Sequence, residues 1–271
     1  MHSTAAFPSG SAAAKLTAQR LTACDELVRS VSQWLLHVDT PQDAVWLRQR
    51  QTELILRARQ SMLGLVLLAR NGLWIPSYAT ARMLLEDAAV VHWLSVHPTL
   101  EALERRWDEH LVAARYGDIK AQRELGIDVD VVSAAWLAEL DEEAVARTAK
   151  RHRDGASHWT GKSVAELAAG AAARTAPHRR GWARRTGILS ATVGRMQGLV
   201  STALHHSPAA SQNWYSPSAE LLPDGLRVGW LAFGLHAAVA LEDLAPKRFD
   251  DLCELIQRQA EHFWTEKPAR D

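Results

Sequence analysis

Residues 156–167, ASHWTGKSVAEL, meet the loosest form of a P-loop: a small residue, four of any kind, then Gly161-Lys162-Ser163. In a working P-loop, backbone amides and a lysine cradle nucleotide phosphates where a buried strand turns into a helix. Here the preceding stretch, DEEAVARTAKRHRD, is a charged run of helical pattern and cannot be a central strand. His158, Trp159 and Thr160 also put bulk where such a loop needs glycine. The segment therefore predicts no nucleoside triphosphate site. It predicts a helix start at Ser163 with His158, Trp159 and Lys162 ahead of it, and a helix N-terminus favours anions.

Twelve histidines raise the question of metal chemistry. A carboxylate-bridged di-iron bundle needs Glu-x-x-His pairs on facing helices, and no histidine has a glutamate three residues before it. His-Glu-x-x-His and Cys-x-x-Cys are absent too, so no metal and no cofactor are expected. Four pairs fit the Arg-x(4–6)-His ribonuclease pattern of helical HEPN proteins: Arg105/His110, Arg147/His152, Arg151/His158 and Arg153/His158. Chance spacing of this composition yields about three, so the count shows no excess. Charge is more informative. Ten Lys or Arg residues lie between Arg147 and Arg185, opposed only by Asp154 and Glu166, which gives +8 locally in a chain of net charge zero. Either the charged faces are simply uneven, or this is a basic mouth for a phosphate-bearing ligand.

Two helical spacings complete the candidates. Arg82 and Glu86 stand i, i+4 inside the apolar stretch MLLEDAAVVHWL, either as an ordinary intrahelical pair or as a site that must be satisfied inside an apolar face. Gly194, Gly198, Ser201 and His205 fall within about 60° on one helix face, where small residues admit a close neighbour and leave the imidazole at a groove end.

Positioning these residues falls to helices. Apolar residues recur at helical spacing over roughly 15–37, 42–70, 76–96, 100–125, 129–153, 163–173, 179–206, 225–245 and 248–265. Asn71-Gly72 closes the second of these, Pro76 opens the third, and Ser163-Val-Ala-Glu166 spells a capping box. The expected fold is a single all-α bundle of about eight or nine helices over 15–265, with tails at 1–14 and 266–271. Two cysteines, Cys24 and Cys253, give no disulfide framework, and no basic-then-apolar leader opens the chain. No apolar run approaches the roughly 20 residues that span a bilayer. A cytoplasmic protein without a membrane partner is expected.

Arg82-x-x-x-Glu86, His158-Trp159-Thr-Gly-Lys-Ser163 and Leu199-Val-Ser201-x-x-x-His205-x-Ser207 together resemble the bacterial helical proteins grouped as domain-of-unknown-function family 5677, over about residues 55–265. The resemblance implies an all-α fold with HEPN-like relatives, among which are metal-independent ribonucleases and toxin partners. Ser201 stands where the HEPN motif carries an arginine before its histidine, which speaks against nuclease catalysis. The expectation is a phosphate-containing ligand, RNA among the choices, in a cleft lined by Arg82, Glu86, His158, Trp159, Lys162, Ser163, Ser201 and His205. Were RNA cleaved, His205 or His158 would serve as general base, and Arg82 or Lys162 would stabilise the phosphorane. The alternatives are a non-catalytic interaction module, for instance a homodimer, and a helical enzyme or sensor for a small anion.

Overall fold

LRVGWLAFGLHAAVAL, residues 226–241, is apolar over almost every turn, and a helix apolar all round belongs inside. The computed structural model describes residues 12–37, 45–96, 163–204 and 221–264, with individual positions between 105 and 135. Among them are seven α-helices: α1 (Ala12–Trp34), α2 (Val45–Arg70), α3 (Trp74–Leu94), α4 (Val164–Ala172), α5 (Trp182–Leu204), α6 (Leu221–Leu244) and α7 (Phe249–Trp264). A 3-10 turn, Pro246–Arg248, joins the last two, and the described residues contain no strand. The protein is an all-α bundle. None of its described helices is long and apolar enough to cross a membrane.

The apolar helix α6 is the hub, touched by α1, α2, α3, α5 and α7. Leu226, Trp230, Phe233, Ala237, Leu241 and Leu244 are all buried there. Trp230 stacks on Phe263 of α7 at 4.4 Å and donates its indole N–H to Gln259 at 2.8 Å, so its polar atom is satisfied inside the core. Two glycines bring α6 close to its neighbours. A Cβ on Gly225 would lie 3.2 Å from the Tyr78 ring, and one on Gly229 would lie 2.7 Å from Leu65 Cδ1, a fully buried side chain with nowhere to retreat. Gly229→Val should therefore cost about 1–3 kcal/mol through overpacking, read as a lower urea midpoint. Gly194→Ala should instead stabilise by roughly 0.5–1 kcal/mol, because a Cβ there meets nothing. Gly194, expected at a close crossing, thus faces open space, and close approaches among the described residues occur on α6.

The turns follow from their residues. Gly72 adopts φ 69° after α2, and the bonds Leu73 N to Leu68 O (2.9 Å) and Gly72 N to Ala69 O (3.1 Å) close that helix as a Schellman motif. Ala12–Ala14, expected in the tail, instead open α1, as alanine's helix propensity favours. At α5 the helix starts at Trp182 and not at 179, because Arg179–Gly181 form a turn with Gly181 at φ 63°. The hub starts at Leu221, with Pro223 in its first turn where no intrahelical N–H is needed. Of the helix expected over 100–125, Arg105, Val112, Tyr116, Ile119 and residues 122–124 are helical; the one over 129–153 lies almost wholly outside the described residues.

Candidate functional site

Of the sequence candidates, Arg82 and Glu86 form the expected i, i+4 pair, Nε to Oε1 at 2.7 Å. Their side chains are 41% and 37% exposed, so the pair reaches water and is not embedded in the apolar face. Steps of 100° explain this: Ala81, Leu84, Leu85 and Ala88 face the core, while Arg82, Met83 and Glu86 turn outward. Ser163 is the N-cap of α4, its hydroxyl accepting from Glu166 N at 3.2 Å. Glu166 reaches back, and its Oε2 accepts from Ser163 N at 2.7 Å and from Ser163 Oγ at 2.9 Å. The helix N-terminus expected to favour an anion already holds the carboxylate of its own third residue. His158, Trp159, Lys162 and His205 lie outside the described residues, as do the surroundings of the Ser201 side chain on α5. At the level of helices, α3, α4 and α5 do pack together.

Part of the basic segment is neutralised within the fold, while its residues 147–162 lie outside the described residues. Arg179 is only 6% exposed and forks onto Asp243, Nη1 to Oδ1 at 2.6 Å and Nη2 to Oδ2 at 3.1 Å, with Glu242 Oε2 at 3.4 Å. Arg185 Nη2 holds the same Glu242 oxygen at 2.8 Å. The Arg180 amide donates to Glu242 Oε1 at 2.6 Å, and its guanidinium pairs with exposed Asp250. Three of the ten cations are thus committed to acids at the end of α6 and the start of α7. Gln51 of α2 completes the group, Nε2 to Asp243 Oδ2 at 2.8 Å. Burial pushes the Asp243 carboxyl above its usual range, and the Arg179 fork opposes that shift.

One buried histidine, His92, adjoins this cluster, and a second, His236, lies near His92. His92 of α3 is fully buried, its ring 5.4 Å from that of Trp182 and its Nδ1 2.8 Å from Ala88 O. A carbonyl only accepts, so Nδ1 carries the hydrogen and Nε2 presents a bare lone pair. Burial, then the charge of Arg185, lowers the His92 pKa to about 3. His236 of α6 is lowered to about 3 by burial and by Arg57, and its charge is felt at His92. Trp182 links the parts: its indole N–H donates to Ala171 O (3.2 Å) and Arg174 O (3.1 Å) at the end of α4. The Arg185 guanidinium carbon lies 5.8 Å from its ring centroid and 5.4 Å from that of Phe249.

What marks this cluster is unmet hydrogen bonding. Gln51 Oε1, Arg179 Nε, Arg185 Nε and Nη1, His92 Nε2 and both ring nitrogens of His236 are buried without a hydrogen-bond partner among the described residues. Each such atom, left unmet, costs on the order of 1–3 kcal/mol. No group of three metal-capable side chains occurs among the described residues. The sequence reading missed His92, His236, Gln51 and the acids that meet Arg179 and Arg185. One signal was available: His236, Glu242 and Asp243 are the polar interruptions of an otherwise apolar run, and polar groups on a buried helix must be answered by other elements. Comparison with protein-family models, curated proteins and solved structures finds no match for this chain.

Proposed function

We propose that the protein binds a small phosphate-bearing ligand at the polar cluster between α2, α3, α5 and α6, with Arg185 and Arg179 receiving its oxygens. The observation that carries this reading is Arg185. Its Nη2 serves Glu242, while its Nε and Nη1, three N–H bonds in all, are buried without an acceptor among the described residues. Charge-assisted hydrogen bonds to an oxyanion are the strong way to satisfy such a group. The two aromatic faces at 5.4 and 5.8 Å are near the outer limit of about 6 Å for a cation–π contact and replace little of it. Because Arg179 and Arg185 balance Glu242 and Asp243, the cluster is not a broad positive field but a local patch of donors. That favours a small anion over a nucleic acid backbone, which is gathered by rows of exposed cations. The HEPN-like relationship and the RNA cleft around Arg82, His158, Lys162, Ser201 and His205 form the competing reading, supported by the packing of α4 between α3 and α5.

A thermal-shift titration with inorganic phosphate separates the two. A ligand at a hundredfold excess over its Kd stabilises by about 2.7 kcal/mol, a rise of several degrees in Tm. Arg185→Lys keeps a cation for Glu242 but deletes the spare donors, and should abolish that rise while the unliganded protein stays folded. A phosphate effect that survives in Arg185→Lys, or no effect in the wild type, overturns the proposal. Binding of an oligoribonucleotide that weakens steeply with salt and ignores Arg185→Lys would favour the RNA cleft instead.

A further inference from the structure

Resting on that reading, we infer that the cluster selects a tetrahedral oxyanion that carries its own hydrogen, inorganic phosphate before all, over one that carries none, such as sulfate or a phosphodiester. The argument is a matching of donors to acceptors. On the donor side stand Arg179 Nε with one N–H and Arg185 Nε and Nη1 with three more, all buried and unmatched among the described residues. On the other side are two atoms that can only accept. Gln51 Nε2 donates at 2.8 Å to Asp243 Oδ2, an oxygen that also accepts from Arg179 Nη2 at 3.1 Å, so the amide turns its N–H there and Oε1 is the unmatched atom. His92 Nδ1–H is committed to the Ala88 carbonyl at 2.8 Å, so Nε2 is the unmatched atom there. Both side chains are fully buried. Neither can rotate to offer a hydrogen without breaking the bond it already has.

An anion made only of lone pairs answers the arginines and leaves Gln51 Oε1 and His92 Nε2 facing further lone pairs. A hydrogen-bearing phosphate answers both kinds, its oxygens taking the arginine N–H groups and its O–H reaching an acceptor. Charge points the same way. Two arginines already face two carboxylates, so a singly charged dihydrogenphosphate adds less uncompensated charge to a buried place than a doubly charged sulfate does. The imidazole of His92 stays neutral near pH 7, because burial and the Arg185 charge hold its pKa to about 3, and its lone pair therefore remains available.

Isothermal titration of the full chain at pH 7, with inorganic phosphate and with sulfate at equal ionic strength, tests this. Phosphate is expected to bind about a hundredfold or more tighter, as sites built around a ligand hydroxyl discriminate against analogues lacking it. His92→Asn keeps a donor where Nδ1–H lies and removes Nε2; its phosphate affinity should fall about tenfold or more toward that of sulfate, with the fold checked by its unliganded melt. Sulfate binding as tightly as phosphate overturns the selection and leaves the oxyanion site standing. Binding of neither overturns both. Unchanged phosphate affinity in His92→Asn removes His92 from the site, and if that variant does not fold, the wild-type comparison decides alone.

Discussion

Replacing Asp243 by alanine should lower the stability of the protein by about 3–5 kcal/mol, enough to leave much of a marginally stable chain unfolded. The carboxylate accepts both terminal nitrogens of Arg179 and the Gln51 amide. Without it a guanidinium that is 6% exposed keeps, among the described residues, Glu242 Oε2 alone at 3.4 Å, and that oxygen is shared with Arg185. The loss is mainly that of an abandoned buried charge, so Arg179→Met combined with Asp243→Leu should recover most of it. Asp250→Ala, which removes only the exposed partner of Arg180, should leave the urea midpoint where it was. Equal midpoints for Asp243→Ala and wild type would show that the fork contributes nothing.

Acid should weaken the fold well before its carboxylates titrate. In an unfolded chain both His92 and His236 ionise near pH 6.5. In the folded protein burial pushes each to about 3, helped by Arg185 at His92 and by Arg57 at His236. Between those limits the unfolded state holds more protons. Stability is therefore complete above about pH 6.5, declines as pH falls, and stops declining on this account near pH 3. Each histidine contributes about 1.4 kcal/mol per pH unit, so the two together remove roughly 5 kcal/mol between pH 6.5 and 4.5. Urea midpoints across that range should fall steeply in the wild type and about half as steeply in His236→Leu. A flat profile in the wild type would mean that the imidazoles have access to water.

Much of the architecture was legible because its causes are local. Helical periodicity, Asn71-Gly72 after α2 and the capping box at Ser163 each depend on residues within a turn or two of one another, and each forms as expected. The polar cluster has no such signature. Arg179 and Asp243 are 64 residues apart in sequence, so the basic segment and the acids that neutralise it read as separate features. Arg82 and Glu86 misled in the opposite sense: apolar neighbours in sequence suggested burial, although successive 100° steps set them on the wet side of α3. Glycines were ambiguous for a related reason. Composition marks Gly194 and Gly229 alike, and only the neighbouring helix distinguishes a gap from a contact.

Trp182 belongs to two places at once. Its N–H holds the last carbonyls of α4, and its ring lies against His92 and near Arg185. Tilting the indole would break its bonds to the Ala171 and Arg174 carbonyls and so loosen the end of α4. An opening of the cluster that displaces Trp182 would therefore be coupled to the end of α4. Under the proposed anion binding, part of its free energy would appear in the clamping of a helix whose N-cap is Ser163, one residue after the lysine that first suggested a phosphate site.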